Sequence, residues 1–170
     1  MENETDAIVL GGGCFWCLEA VFEDLEGVLD VVSGYAGGEV VDPSYEQVCS
    51  GSTGHAEVVQ ITFDPSVTTL DEILSVFWRC HDPTTKDRQG ADVGSQYRSI
   101  ILPSSDQQES VARNSMDEAQ KSFSSPIVTE ITLLEKFYRA EDYHQDYYAN
   151  KPNAPYCAFV IRPKLQKLGL

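Results

Sequence analysis

The chain has 170 residues, 42% of them hydrophobic and 10% aromatic, enough apolar material for one domain with a buried core and too much for a disordered polypeptide. Against 12 Lys and Arg stand 27 Asp and Glu, a formal charge of −15. So acidic a surface disfavours nucleic acid and anionic membrane as partners, since both select basic faces. No apolar run approaches the ~18 residues of a membrane span, and the acidic start MENETD lacks the basic region of a signal peptide, so a cytoplasmic protein is expected. The five cysteines, at 14, 17, 49, 80 and 157, are an odd number that favours thiol chemistry over a disulfide framework.

In chain order, residues 7–10 read as a strand and GGGCFWC, residues 11–17, as a glycine turn opening a helix over about 14–26. In that helix Phe15, Leu18, Phe22 and Leu25 fall opposite Glu19, Glu23 and Glu26. Cys14 stands at the helix start, where unpaired N–H groups and the helix dipole favour negative charge and lower a thiol's pKa. A tight turn around a small buried thiol would use the same glycines. The pair Cys14 and Cys17 also has the spacing of half a zinc site, but Cys49, His55, Cys80, His81, His144 and Cys157 make no second tight pair. A thioredoxin-like dithiol is the stronger alternative, although no parallel βαβ start precedes the motif and Phe-Trp is bulky between its cysteines.

A strand over about 28–35 follows, then the turn-rich DPSYEQVCSGSTGHAE, which sets Tyr45 in a loop-like polar stretch. Over the strand 56–63, alternation puts Glu57 on the face of Val59, Ile61 and Phe63. Burial there raises a carboxyl's pKa until it can donate a proton at neutral pH; the alternative is that Glu57 curls out to solvent or pairs with an arginine. A helix over 70–80 opens at TLDE and carries a core stripe that Cys80 continues, and Cys49 is assigned a structural role with it. Tyr97 lies in the turn-rich GADVGSQYRS. Further expectations are strands at 98–102, 127–133 and 156–161, a helix over 105–122 opening at SDQQ, and a helix over 141–149 in which His144 makes a structural hydrogen bond. The strand 156–161 would bury Cys157 with Phe159 and Ile161 as a core thiol. With no repeat or long linker, the order indicates α+β, helices covering a largely antiparallel sheet.

Taken together, GCFWC, SGYAGG, SYEQVCSGSTGHAEVV, FDP, VFWRCHDPT, DRQGADVGSQYRSII and AEDYHQDY resemble the peptide methionine sulfoxide reductase A family, in order from about residue 8 to 157. The resemblance implies a two-layer α/β plait, a ferredoxin-like roll with a mainly antiparallel mixed sheet and an extended C-terminal segment, residues 1–170 forming a single reductase domain. It implies that Cys14 attacks the sulfoxide sulfur, releasing methionine and leaving a sulfenic acid. Glu57 would be the proton donor, Tyr45 and Tyr97 the phenols on the sulfoxide oxygen, Phe15 and Trp16 the wall for the substrate methyl, and Asp92 an organiser of the substrate site. The A type takes the S epimer, protein-bound or free. A thiolate and oxygen-directed proton donors suffice for this chemistry, so no bound cofactor or metal is expected. The resemblance prefers Cys157 as the resolving thiol, because many members keep a recycling cysteine after a tyrosine there. Cys17 stays open, closing a disulfide after local unwinding. Expected partners are oxidised proteins or peptides and an external thiol reductant, thioredoxin or dithiothreitol; a monomer is expected, serving repair of oxidative damage.

Overall fold

The computed structural model describes residues 5–169. Along the chain run β1 (Asp6–Gly11), α1 (Phe15–Glu23), β2 (Val28–Ala36), α2 (Tyr45–Cys49), β3 (Ala56–Phe63), α3 (Leu70–Cys80), β4 (Arg88–Gln89), β5 (Asp92–Val93), β6 (Ile100–Leu102), α4 (Asp106–Gln120), β7 (Glu130–Ile131), β8 (Phe137–Arg139), α5 (Tyr147–Asn150) and α6 (Arg162–Lys167). The sheet order is β7-β6-β1-β3-β2-β8, antiparallel at every pairing except β6–β7. The fold is thus mixed α+β with a mainly antiparallel central sheet. Among the described residues no helix is long and apolar enough to cross a membrane.

Strand alternation divides the interior. Ile8, Leu10, Val31, Tyr35, Val59, Ile61 and Phe63 face the helices and join Phe15, Leu18, Phe22, Leu74 and Phe77 in the main core. On the opposite face Val9, Ala36, Ala56, Val58, Ile100 and Leu102 form a smaller cluster, capped by Leu134 and Phe137. Glu57 belongs to the helix-facing set and pairs across the sheet with Tyr35, which carries it into the core side as parity predicts.

Helix starts follow their caps. Thr69 Oγ1 accepts from Glu72 N at 3.1 Å and Ser105 Oγ from Gln108 N at 3.2 Å, opening α3 and α4. Ser44 and Gln47 make a complete capping box, so Tyr45 starts a short helix where the sequence reading has a loop.

The C-terminal part departs most from expectation. The helix expected over 141–149 splits into a 3₁₀ turn, Asp142–His144, and α5, because Asp146 takes a left-handed φ of 54° between them. The strand expected over 156–161 is a π-helical turn, Cys157–Ile161, running into α6, so this segment is helical rather than extended. Cys157, Ile161 and Leu165 are buried four apart while Phe159 is 81% exposed, a helical stripe. A short apolar run has no periodicity to separate the two cases, and Pro163, two residues past the expected strand, sits in the first turn of α6, where a missing N–H is tolerated.

Candidate active site

Strand β1 delivers the glycine turn and α1 begins one residue after Cys14. Gly13 has φ +86°, and its N–H donates to Tyr97 O at 3.0 Å, tying the turn to the loop that carries Tyr97. Gly12 lies so close to His81 that a Cβ would sit 2.8 Å from the imidazole. That ring is fixed: Nδ1–H donates to Phe77 O at 2.6 Å, which leaves Nε2 to accept from Ser99 Oγ at 2.7 Å. Burial holds it neutral, its pKa lowered to about 4.

Cys14 is the N-cap residue of α1 and only 7% exposed. Its thiol pKa is well above the ordinary value, because burial comes first and the nearby Glu57 and Cys17 add to it, while the Trp16 N–H offsets part. The lowering expected from the helix start is outweighed: partial charges at the end of a nine-residue helix are small against desolvation of a buried thiolate. Cys14 therefore rests as a thiol.

Glu57 Oε1 accepts from Phe15 N at 3.2 Å. Oε2 is buried and has no partner among the described residues, and the side chain is 1% exposed. Burial pushes this carboxyl up to about 8; the Phe15 N–H pulls it back, Asp92 raises it further, and the neighbouring Cys14 thiol lowers it slightly. A charge on Glu57 would penalise ionisation of Cys14, Tyr45 and Tyr97 alike, so the four predicted residues converge on one place. Both phenols are raised by burial and stay neutral donors.

The aromatic wall lies beside them. Phe15 is fully buried, with ring centroids 5.7 Å from Tyr35, 6.4 Å from Tyr45 and 5.1 Å from His144. Trp16 stacks on Tyr147 at 3.8 Å and 8° between planes, and its Nε1–H donates to His144 Nδ1 at 3.1 Å. The structural hydrogen bond expected of His144 is this one, and it requires a neutral imidazole.

On the other flank, a cleft of about 1170 Å³ is lined by Cys14, Cys17, Asp92, Tyr156 and Lys164 among others. Cys17 is buried one helical turn from Cys14, its N–H donating to Cys14 O at 3.1 Å. Asp92 accepts from the Tyr156 hydroxyl at 2.7 Å. Cys157 is fully buried beside Cys17. Cys80 lies in the core of α3, as its stripe predicts, whereas Cys49 is exposed at the end of α2 and does not serve the core.

Several residues of the site escape the sequence reading. Glu19, placed on the polar side of α1, is 1% exposed; it accepts from Ser33 Oγ at 3.0 Å and Tyr147 N at 3.2 Å. Burial raises it to about 7. Glu141 accepts from the Tyr35 hydroxyl at 2.9 Å and Tyr45 N at 3.1 Å; burial alone would raise its pKa, but the hydrogen bonds carry it below the usual carboxylate range. Nothing local marks Glu141, since its partners lie about a hundred residues away. The capping signal SYEQ could have placed Tyr45 on a helix.

A thiol held beside a protonated carboxyl and two neutral phenols is the equipment of a cysteine-dependent oxidoreductase. The family model for peptide methionine sulfoxide reductase matches residues 6–169. The peptide methionine sulfoxide reductase MsrA of Leptospira borgpetersenii is 57% identical over 98% of this chain and 93% of its own. Among solved structures, Mxr1 from Saccharomyces cerevisiae in reduced form is 37% identical with a TM-score of 0.85, covering 91% of this chain and 90% of that one. Mxr1 in complex with Trx2 is also similar, at 28% identity and TM-score 0.62 over 86% of this chain and 89% of that one. The chain belongs to the peptide methionine sulfoxide reductase family.

Proposed function

We propose that this protein reduces the S epimer of methionine sulfoxide, in proteins and as the free amino acid, by attack of Cys14 on the sulfoxide sulfur. The observation that carries the site assignment is Glu57: a buried carboxyl with one oxygen unpartnered, held protonated near neutral pH beside the thiol. Glu57 gives its proton to the sulfoxide oxygen and recovers the one that Cys14 releases as its sulfur bonds to the substrate. Oxygen then passes to Cys14 as a sulfenic acid and methionine leaves. Tyr45 and Tyr97 donate to the oxygen, and Phe15 and Trp16 enclose the methyl group, with Asp92 organising the flank of the site.

Cys17 is assigned as the resolving thiol ahead of Cys157. It shares a turn and a cleft with Cys14, whereas Cys157 is packed in the π-helical turn behind it. Condensation of Cys17 with the sulfenic acid forms the disulfide and releases water, and an external thiol, thioredoxin or dithiothreitol, reduces it. The Trx2 complex of the yeast relative supports a protein dithiol in that role. Neither half of the chemistry calls for a bound cofactor.

The reading extends to residues 1–170 as one domain, a monomer in the cytoplasm kept soluble by its acidic surface. The connectivity β1-α1-β2-β3-α3-β6 with spatial order β6-β1-β3-β2 supports the ferredoxin-like roll. The test is a peptide carrying methionine sulfoxide of defined configuration, mixed with reduced enzyme without reductant. Methionine should form from the S epimer alone, and none with Cys14→Ser. Turnover of protein disulfides without turnover of either sulfoxide would instead make this a thiol-disulfide oxidoreductase.

A further inference from the structure

The Tyr156 hydroxyl belongs to neither the attack at sulfur nor the protonation of oxygen, yet it joins two groups beside Cys14. It donates to Asp92 Oδ2 at 2.7 Å and lies 3.4 Å from Cys17 Sγ. A phenol has one proton, and here it is committed to the carboxylate, so only lone pairs face the sulfur and the Cys17 S–H is the donor. The three groups come from α1, from β5 and from the segment before α6, and all line the cleft that also reaches Cys14. The result is an ordered chain, thiol to phenol to carboxylate, ending on Asp92, which is half-buried and can pass a proton to solvent.

We infer that Tyr156 and Asp92 form a proton relay that takes the Cys17 proton as this sulfur attacks the Cys14 sulfenic acid. The inference rests on the reading of Cys17 as the resolving thiol. Tyr156 touches the reacting sulfur and is the catalytic residue of the step; Asp92 acts through it and is a positioning residue. As the S–S bond forms, the Cys17 proton passes to the phenol oxygen and the phenol proton to Asp92. The Cys14 S–O bond breaks, and the departing hydroxide takes the Glu57 proton and leaves as water. Cys17 is oxidised, the sulfenic sulfur is reduced, and solvent returns the proton from Asp92 to Glu57.

The thiol needs such help. Burial raises its pKa, the Lys164 ammonium of α6 lowers it, and Asp92 and Glu57 raise it again. Its other titratable neighbours are the thiols Cys14, Cys80 and Cys157. A buried thiol that must ionise before it attacks is slow at neutral pH, whereas one that loses its proton during attack is not.

The experiment follows the lifetime of the Cys14 sulfenic acid, trapped with a dimedone-type reagent and weighed by mass spectrometry, after one equivalent of substrate. In Tyr156→Phe, disulfide formation at pH 7 should slow on the order of 100-fold and recover as the pH is raised, because a pre-ionised Cys17 no longer needs the relay. Asp92→Asn, measured in the same way, should shift in the same direction and serves if the phenylalanine variant does not fold. Disulfide formation at the wild-type rate in Tyr156→Phe, or a slowing that higher pH does not rescue, overturns the relay. Cys17→Ser separates the two claims. A sulfenic acid that persists in it supports Cys17 as the resolving thiol, whereas an intramolecular disulfide closing at the wild-type rate overturns that reading and the relay with it.

Discussion

The two flanks of the Cys14 sulfur are built from different kinds of structure. On the proposed substrate flank, Glu57 is fixed by strand parity, Phe15 and Trp16 by the first turn of α1, and Tyr97 by a backbone bond to the glycine turn. On the proposed recycling flank, Cys17 meets Asp92 from a two-residue strand and Tyr156 from the short helices at the C-terminus. The first flank is cut from the main core, where burial keeps donors protonated. The second is assembled by long-range packing, with Tyr156 against both Cys17 and Asp92, and reaches solvent through the cleft. The difference indicates that oxygen reduction depends on dryness and recycling on access.

Changes on the core flank should break that contrast most visibly. Cys14→Ser should reduce methionine formation to background while thermal unfolding stays near wild type, since a serine fills almost the same space; a variant that still forms methionine would move the nucleophile elsewhere. Next in size, Glu57→Gln should slow single-turnover reduction by roughly 100-fold or more. In the wild type that rate should fall as the pH rises through about 8, where Glu57 loses its proton, and the variant should lack this limb. The same group links to stability. Its native pKa is raised, so the native state keeps a proton that the unfolded chain has already released, and stability falls as the pH climbs from the ordinary carboxylate range to about 8. Glu57→Gln should lose less over that window in denaturant titrations.

Smaller effects sharpen the comparison where the flanks meet. His144→Ala leaves the Trp16 indole N–H without its acceptor, which should cost about 1–3 kcal/mol and raise KM more than it lowers kcat; His144→Gln, which can accept that bond, should recover most of the KM. The smallest change is expected for Glu19→Gln. Burial holds Glu19 at about 7, so the amide imitates its protonated form. Relative to wild type, the variant should be about 1 kcal/mol less stable at pH 6, where it only loses hydrogen-bond strength, and should gain ground by pH 8, where wild type carries a desolvated charge.

The same contrast explains what could be foreseen. The strand, glycine turn and helix around Cys14 and the strand carrying Glu57 have strong local periodicity, and the structure forms both nearly within the expected bounds. Turn-rich residues around Tyr45 suggest a loop, although Ser44 and Gln47 spell a capping box. The apolar stripe of the helix expected over about 14–26 puts Glu19 on the opposite, polar side, but α1 is covered on nearly every side. At the C-terminus the apolar run CAFVI suits a strand as well as a helix, and only tertiary packing of Cys157, Ile161 and Leu165 decides. Partners such as Glu141 with Tyr35, or Tyr156 with Cys17, are separated by more than a hundred residues and leave no local trace.

The central claim is that a protonated Glu57 faces the substrate oxygen in the reduced enzyme, and infrared difference spectroscopy on the carboxyl C=O stretch tests it most directly. The reduced protein should show at pH 7 a protonated-carboxyl band that is absent in Glu57→Gln and titrates away near pH 8. A spectrum in which the substitution removes only a carboxylate band at pH 7 would show Glu57 already ionised, and the proton for the sulfoxide oxygen would have to come from another group.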